Sequence, residues 1–141
     1  MTLKKNTDKR GSPLPRLAAA LENIKANLVN EADVKKGVED RLQYEQNLGH
    51  LLYLRLNSGE FIEVRGQTRR RIKGCPAGTA DFVVFQGSVQ SLPICHVTFL
   101  EIKSGKGKQS PEQKAFEILA KMFDCRYFIV RDADEIEEIL L

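Results

Sequence analysis

The apolar positions change period along the chain, and those changes divide it into elements. Leu17, Leu21, Ile24 and Leu28 recur at helical spacing, which predicts a helix over 17–28. Val34, Val38 and Leu42 repeat the pattern behind Asn30. Asn30 suits an N-cap, so a second helix is expected to run from it to about Asn47, with Gly49 just past the end. Leu51–Leu56 reads as a strand closed by the turn Asn57-Ser58-Gly59, with Phe61–Val64 as its hairpin partner. Residues 66–78 hold Gly66, Gly74, Pro76 and Gly78 and are expected to form a long basic loop. Two apolar runs, Asp81–Gln86 and His96–Lys103, predict strands separated by a turn over Gly87–Pro93. Ser110-Pro111-Glu112-Gln113 opens a further helix, with Ser110 as N-cap, Pro111 at the first helical position and Gln113 completing a capping box. Its stripe is Ala115, Phe116, Leu119, Met122 and Phe123. A short buried strand, Tyr127–Val130, and a terminal helix, Asp134–Leu141, end the chain.

The order α-β-β-β-α-β describes an α/β fold, a mixed central sheet flanked by helices. The strand at 96–103 is expected to be central, because it is nearly all apolar up to a charged end. A chain of 141 residues can bury one real core. Residues 1–16, with Lys4, Lys5, Lys9, Arg10 and two prolines, read as a mobile basic arm. Residues 17–141 then form the single domain.

Candidate chemistry gathers where the apolar runs meet charge. Gly74-Cys75-Pro76-Ala77-Gly78-Thr79-Ala80-Asp81 delivers an aspartate onto the run Phe82–Phe85. Val97–Leu100 ends in Glu101-Ile102-Lys103. Alternate strand residues share a face, so Glu101 and Lys103 point the same way, about 7 Å apart along the strand. If the strands pair, Asp81 joins them. Two adjacent carboxylates repel, and a divalent cation removes that conflict. The plainer reading is a strand-start aspartate and a solvated Glu–Lys ion pair. On the first predicted helix of the α-β-β-β core, Glu31 falls three residues before Val34, on the apolar face. It is either part of the site or a first-turn acid favoured by the helix dipole. Glu45, three residues after Leu42, is the reserve candidate.

Net charge is only +3, but it is unevenly spread. Arg65, Arg69, Arg70, Arg71 and Lys73 form a run without an acid, and Lys103, Lys106, Lys108 and Lys114 form another basic group. A basic strip on a near-neutral chain points to a polyanion partner or to a solvated surface. Three widely spaced cysteines give no zinc pattern and no disulfide framework, so reduced cytosolic thiols are expected. No signal peptide or membrane span is apparent.

Ala80-Asp81 followed by Glu101-Ile102-Lys103 resembles the split catalytic motif of the PD-(D/E)xK nuclease superfamily. Gly78-Thr79-Ala80-Asp81, Phe99–Gly105 and Ser110–Lys114 together look like a VRR-NUC domain, as found in small phage-type stand-alone members. The likeness spans roughly Glu31 to the C-terminus. It departs from the family at Ala80, where proline is usual. The resemblance implies a restriction-endonuclease-like core and a Mg²⁺- or Mn²⁺-dependent DNA endonuclease. It further implies that Asp81, Glu101, the Ile102 carbonyl and Glu31 hold the metal, that Lys103 activates water, and that Gln113 positions a phosphate or Lys103. DNA contacts are expected from Arg69, Arg70, Arg71, Lys73, Lys106 and Lys108. The substrate class it implies is branched DNA such as Holliday junctions, cut by a homodimer in the cytoplasm. The alternative is a non-catalytic nucleic-acid-binding module on the same fold.

Overall fold

The computed structural model describes the backbone of residues 13–88 and 94–141, and the side chains of 17–24, 29–88 and 94–141. Helix α1 (Pro13–Leu28) begins four residues before the expected start. Proline is tolerated in a first turn, where its missing N–H would be unbonded anyway. Residues 13–16 of the expected arm are therefore helical, and residues 1–12 lie outside the described residues. Leu17, Leu21 and Ile24 are exposed along α1.

Helix α2 (Glu31–Asn47) is capped by Asn30, whose side-chain oxygen accepts from the Asp33 N–H at 2.9 Å. Gly49 beyond its end takes φ 79°, the left-handed conformation that glycine adopts at no steric cost. Four strands make the main sheet in the order β1-β4-β5-β6, from β1 (Leu52–Arg55), β4 (Phe82–Gly87), β5 (Cys95–Ile102) and β6 (Arg126–Val130). The first three are antiparallel, and β6 runs parallel to β5. Helix α3 (Pro111–Met122) connects that parallel pair, and the short α4 (Glu135–Ile139) packs near the end. The result is a mixed α/β architecture with helices about a mixed sheet.

Two expectations change. The Phe61 run does not pair with β1. It forms β2 (Glu60–Arg65), which pairs with β3 (Thr68–Lys73) as a separate two-stranded ribbon. The segment expected to be a loop over 66–78 is thus half strand, turning at Gly66-Gln67 with Gly66 at φ 59°. Strand β1 pairs instead with β4, Leu54 opposite Val83, because the Phe82–Phe85 part of β4 offers an apolar run that the ribbon cannot.

The β5 strand sorts its residues by face, as a two-residue period requires. Leu100 and Ile102 are fully buried with Val34, Val38, Leu42, Phe82 and Val84, on the α2 side. Phe99 packs with Ala80, Phe116, Ala120 and Tyr127 on the α3 side. Glu101, between Leu100 and Ile102, is directed to the α3 side as well.

Candidate active site

The site sits where the start of β4, the end of β5, the first two turns of α2 and the first turn of α3 converge. Asp81 immediately precedes β4. Its backbone is held on both sides: its N–H donates to the Leu100 carbonyl at 3.0 Å, and its carbonyl accepts from the Leu56 N–H at 2.8 Å. Its side chain is held as well. Oδ2 accepts from the Ile102 N–H at 2.8 Å, and Oδ1 pairs with the Lys35 ammonium. In a strand the N–H and C=O of one residue leave the same edge, so the Ile102 carbonyl also lies on the Asp81 side.

Glu101 is 2 % exposed. Its Oε1 accepts from Lys103 Nζ at 2.9 Å and from the Gln113 side-chain amide. Its Oε2 is buried with no partner among the described residues. Burial raises the Glu101 pKa above the ordinary 4.5. The Lys103 hydrogen bond opposes this, and the charges of Asp81 and Glu31 add to it. A buried carboxylate with an unpaired oxygen is an arrangement that a chain seldom leaves unexplained. Nearby, Tyr127 is also buried, and its phenol is pushed up to about 12 chiefly by desolvation.

The first turn of α3 supplies Gln113 in a double role. Its carbonyl end accepts from the Ser110 N–H at 2.9 Å, while its backbone N–H donates to Ser110 Oγ at 3.2 Å, so the capping box is complete. Its amide end orients Glu101, not Lys103. Gly78 lets the Asp81 loop reach this turn. A Cβ there would lie 2.5 Å from the Glu112 carbonyl carbon.

The structure therefore brings Asp81, Glu101, Lys103, Ile102 and Gln113 together. Glu31 is exposed at the first position of α2 and acts on Glu101 through its charge. Its expected place on the buried face is corrected, since the helix starts at this residue and its stripe starts at Val34. Glu45 is buried but engaged elsewhere, 3.0 Å from Arg41 and 2.7 Å from His50. No three His, Cys, Asp or Glu side chains gather as a metal cage among the described residues. What suits a cation is narrower: two carboxylates and a strand carbonyl, all hard oxygen donors, with one buried oxygen unsatisfied.

Sequence reasoning missed Lys35. A helical lysine usually faces water, and the one available signal was its place four residues after Glu31, on the same face. The basic residues also lie differently than expected. Arg69, Arg71 and Lys73 share one face of the ribbon and Arg70 the other, following the register Arg69 to Val64 and Arg70 to Glu63. All four are exposed. Lys106 and Lys108 lie on the loop between β5 and α3, which Arg131 ties down by donating to the Gly105 and Gly107 carbonyls at 2.7 and 2.8 Å.

Comparisons of the chain with protein-family models, with curated proteins and with solved structures return no match. No helix of the described residues is long and apolar enough to cross a membrane.

Proposed function

We propose that the chain is a Mg²⁺- or Mn²⁺-dependent DNA endonuclease of the VRR-NUC type, acting on branched DNA as a homodimer. The observation that carries this reading is the unpartnered Glu101 oxygen, buried near Asp81 on a carboxylate that Lys103 pairs from the same strand face. A restriction-endonuclease-like core is supported by the order α2, three antiparallel strands, α3 and a parallel strand, with the ribbon as an insertion between β1 and β4. The three free cysteines fit a reducing, cytoplasmic setting.

Asp81, Glu101 and the Ile102 carbonyl would hold the cation, with Glu31 contributing charge from the α2 terminus. When bound, the cation supplies Lewis-acid polarisation of the phosphate and a more acidic water. The protein's own groups do the rest. Gln113 fixes the Glu101 carboxylate. Lys103 holds a buried positive charge beside the point where the phosphorane gains negative charge. A preorganised group of this kind is often worth about 3–4 kcal/mol, roughly 10²–10³ in rate. The exposed arginines of the ribbon, with Lys106 and Lys108, suit the phosphate backbone.

A non-catalytic nucleic-acid-binding module is favoured by one observation. The Lys35 ammonium already pairs with Asp81, so that carboxylate has a counter-charge without a metal. The two readings separate in a cleavage time course on labelled junctions, flaps and duplexes with Mg²⁺ or Mn²⁺. The nuclease reading expects metal-dependent cutting, lost in Asp81→Ala. It expects Lys103→Ala to slow cutting by roughly 10²–10³ while Mn²⁺ and DNA still bind. A parent protein that cuts none of these substrates with either metal overturns the nuclease and leaves the binding module. Lys103→Ala cutting at the parent rate makes the lysine structural.

A further inference from the structure

We propose that Lys35 is a resident counter-ion that competes with the divalent cation for Asp81, so that metal enters by displacing its ammonium. This rests on the reading of Asp81 and Glu101 as the metal site and describes how that site is controlled. Asp81 has two oxygens. Oδ2 is committed to the Ile102 N–H, a bond that also fixes the geometry of the β5 end. Oδ1 is the oxygen that can change partner without breaking the backbone framework, and Lys35 holds it.

Lys35 and Lys103 face Asp81 and Glu101, two ammoniums against two carboxylates, and Glu31 adds one further negative charge. A divalent ion added to that set would turn it net positive, which favours the departure of one ammonium. The two lysines differ in their freedom to do so. The Lys103 side chain is 11 % exposed, whereas that of Lys35 is 25 % exposed on the second turn of α2. A lysine stem is long and flexible, and its head can move to water while the helix stays in place. Lys35 is thus the exchangeable cation and Lys103 the fixed one. The competing account is a plain structural pair that ties α2 to the sheet and has no bearing on metal.

Calorimetric titration with Mn²⁺, without DNA, decides between them for the parent, Lys35→Gln, Lys35→Met, Lys35→Arg and Asp81→Ala. Melting curves with and without Mn²⁺ are recorded on the same samples. Loss of the competing charge should tighten Mn²⁺ binding about fivefold or more in Lys35→Gln and Lys35→Met, the factor an ion pair at the upper end of the exposed range corresponds to. These variants should melt lower than the parent without metal and gain more on adding it. Lys35→Arg keeps the charge and should bind no tighter than the parent. If the methionine variant does not fold, the polar glutamine variant carries the comparison. Equal Mn²⁺ affinity in the parent and the neutral variants overturns the proposal and leaves the metal site standing. Absence of Mn²⁺ binding in every protein, or binding unchanged in Asp81→Ala, overturns the metal reading and this proposal with it.

Discussion

Replacing Gly78 with alanine tests whether the Asp81 loop and the start of α3 are rigidly joined. Gly78 holds φ 87°, a backbone conformation that costs an L-residue about 1–2 kcal/mol. A Cβ there would also lie 2.5 Å and 2.6 Å from the Glu112 carbonyl carbon and oxygen. Those are main-chain atoms of a turn held by the Ser110 capping box, so they cannot rotate aside. Overpacking of that kind adds about 1–3 kcal/mol. The sum, about 2–5 kcal/mol, should lower the Tm of a domain of this size by roughly 6–20 °C. Two other glycines separate the contributions. Gly49 has φ 79° and nothing within 4 Å of an added Cβ among the described residues, so Gly49→Ala should lose only the conformational part, about 1–2 kcal/mol. Gly87 has open space and an unstrained backbone, so Gly87→Ala should stay within about 0.5 kcal/mol of the parent. Thermal melts followed by far-ultraviolet circular dichroism rank the three. If Gly78→Ala melts with Gly49→Ala, the α3 turn yields freely and the rigid joint does not exist.

Two further outcomes follow from the charges. The Glu101 pKa is raised above 4.5 by burial, so its contribution to stability is full below that value and is lost as pH rises through the folded-state pKa. Without metal, Tm measured from acid to neutral pH should therefore show a decline that Glu101→Gln removes; superimposable profiles would refute the assignment. On the ribbon, Arg69 and Arg71 share a face that Arg70 does not, so Arg69→Ala/Arg71→Ala and Arg70→Ala should change DNA affinity unequally. Each duplex phosphate that a variant no longer neutralises should flatten the salt slope by about 0.9, and an unchanged slope in both variants leaves the arginines as a solvated surface.

What could be read from the sequence was local or periodic. The α3 start was legible because Ser110 and Gln113 signal each other across three residues. Glu101 and Lys103 shared a face because a strand alternates. The strand partners were not legible. Phe61–Val64 follows a short turn after β1 and looks like its hairpin mate, yet pairing depends on a competitor, Phe82–Phe85, some thirty residues on. Thr68–Lys73 carried no apolar alternation, and it is strand because β2 supplies the partner. Lys35 and Asp81 are 46 apart in sequence, and nothing local to either announces the other.

The ribbon also bears on how such a protein can diversify. At its base the Gly74 N–H donates to the Gly59 carbonyl at 2.8 Å, and the Cys75 N–H donates to the Asn57 carbonyl at 2.7 Å. The chain thus leaves the body and returns at nearly one point. Exchanging residues 60–73 for a shorter or longer segment would ask little closure entropy of the remainder and would leave the backbone bonds of Asp81 in place. The exposed basic ribbon and the part that holds the carboxylates can then vary independently, as a handle can be refitted without touching the blade.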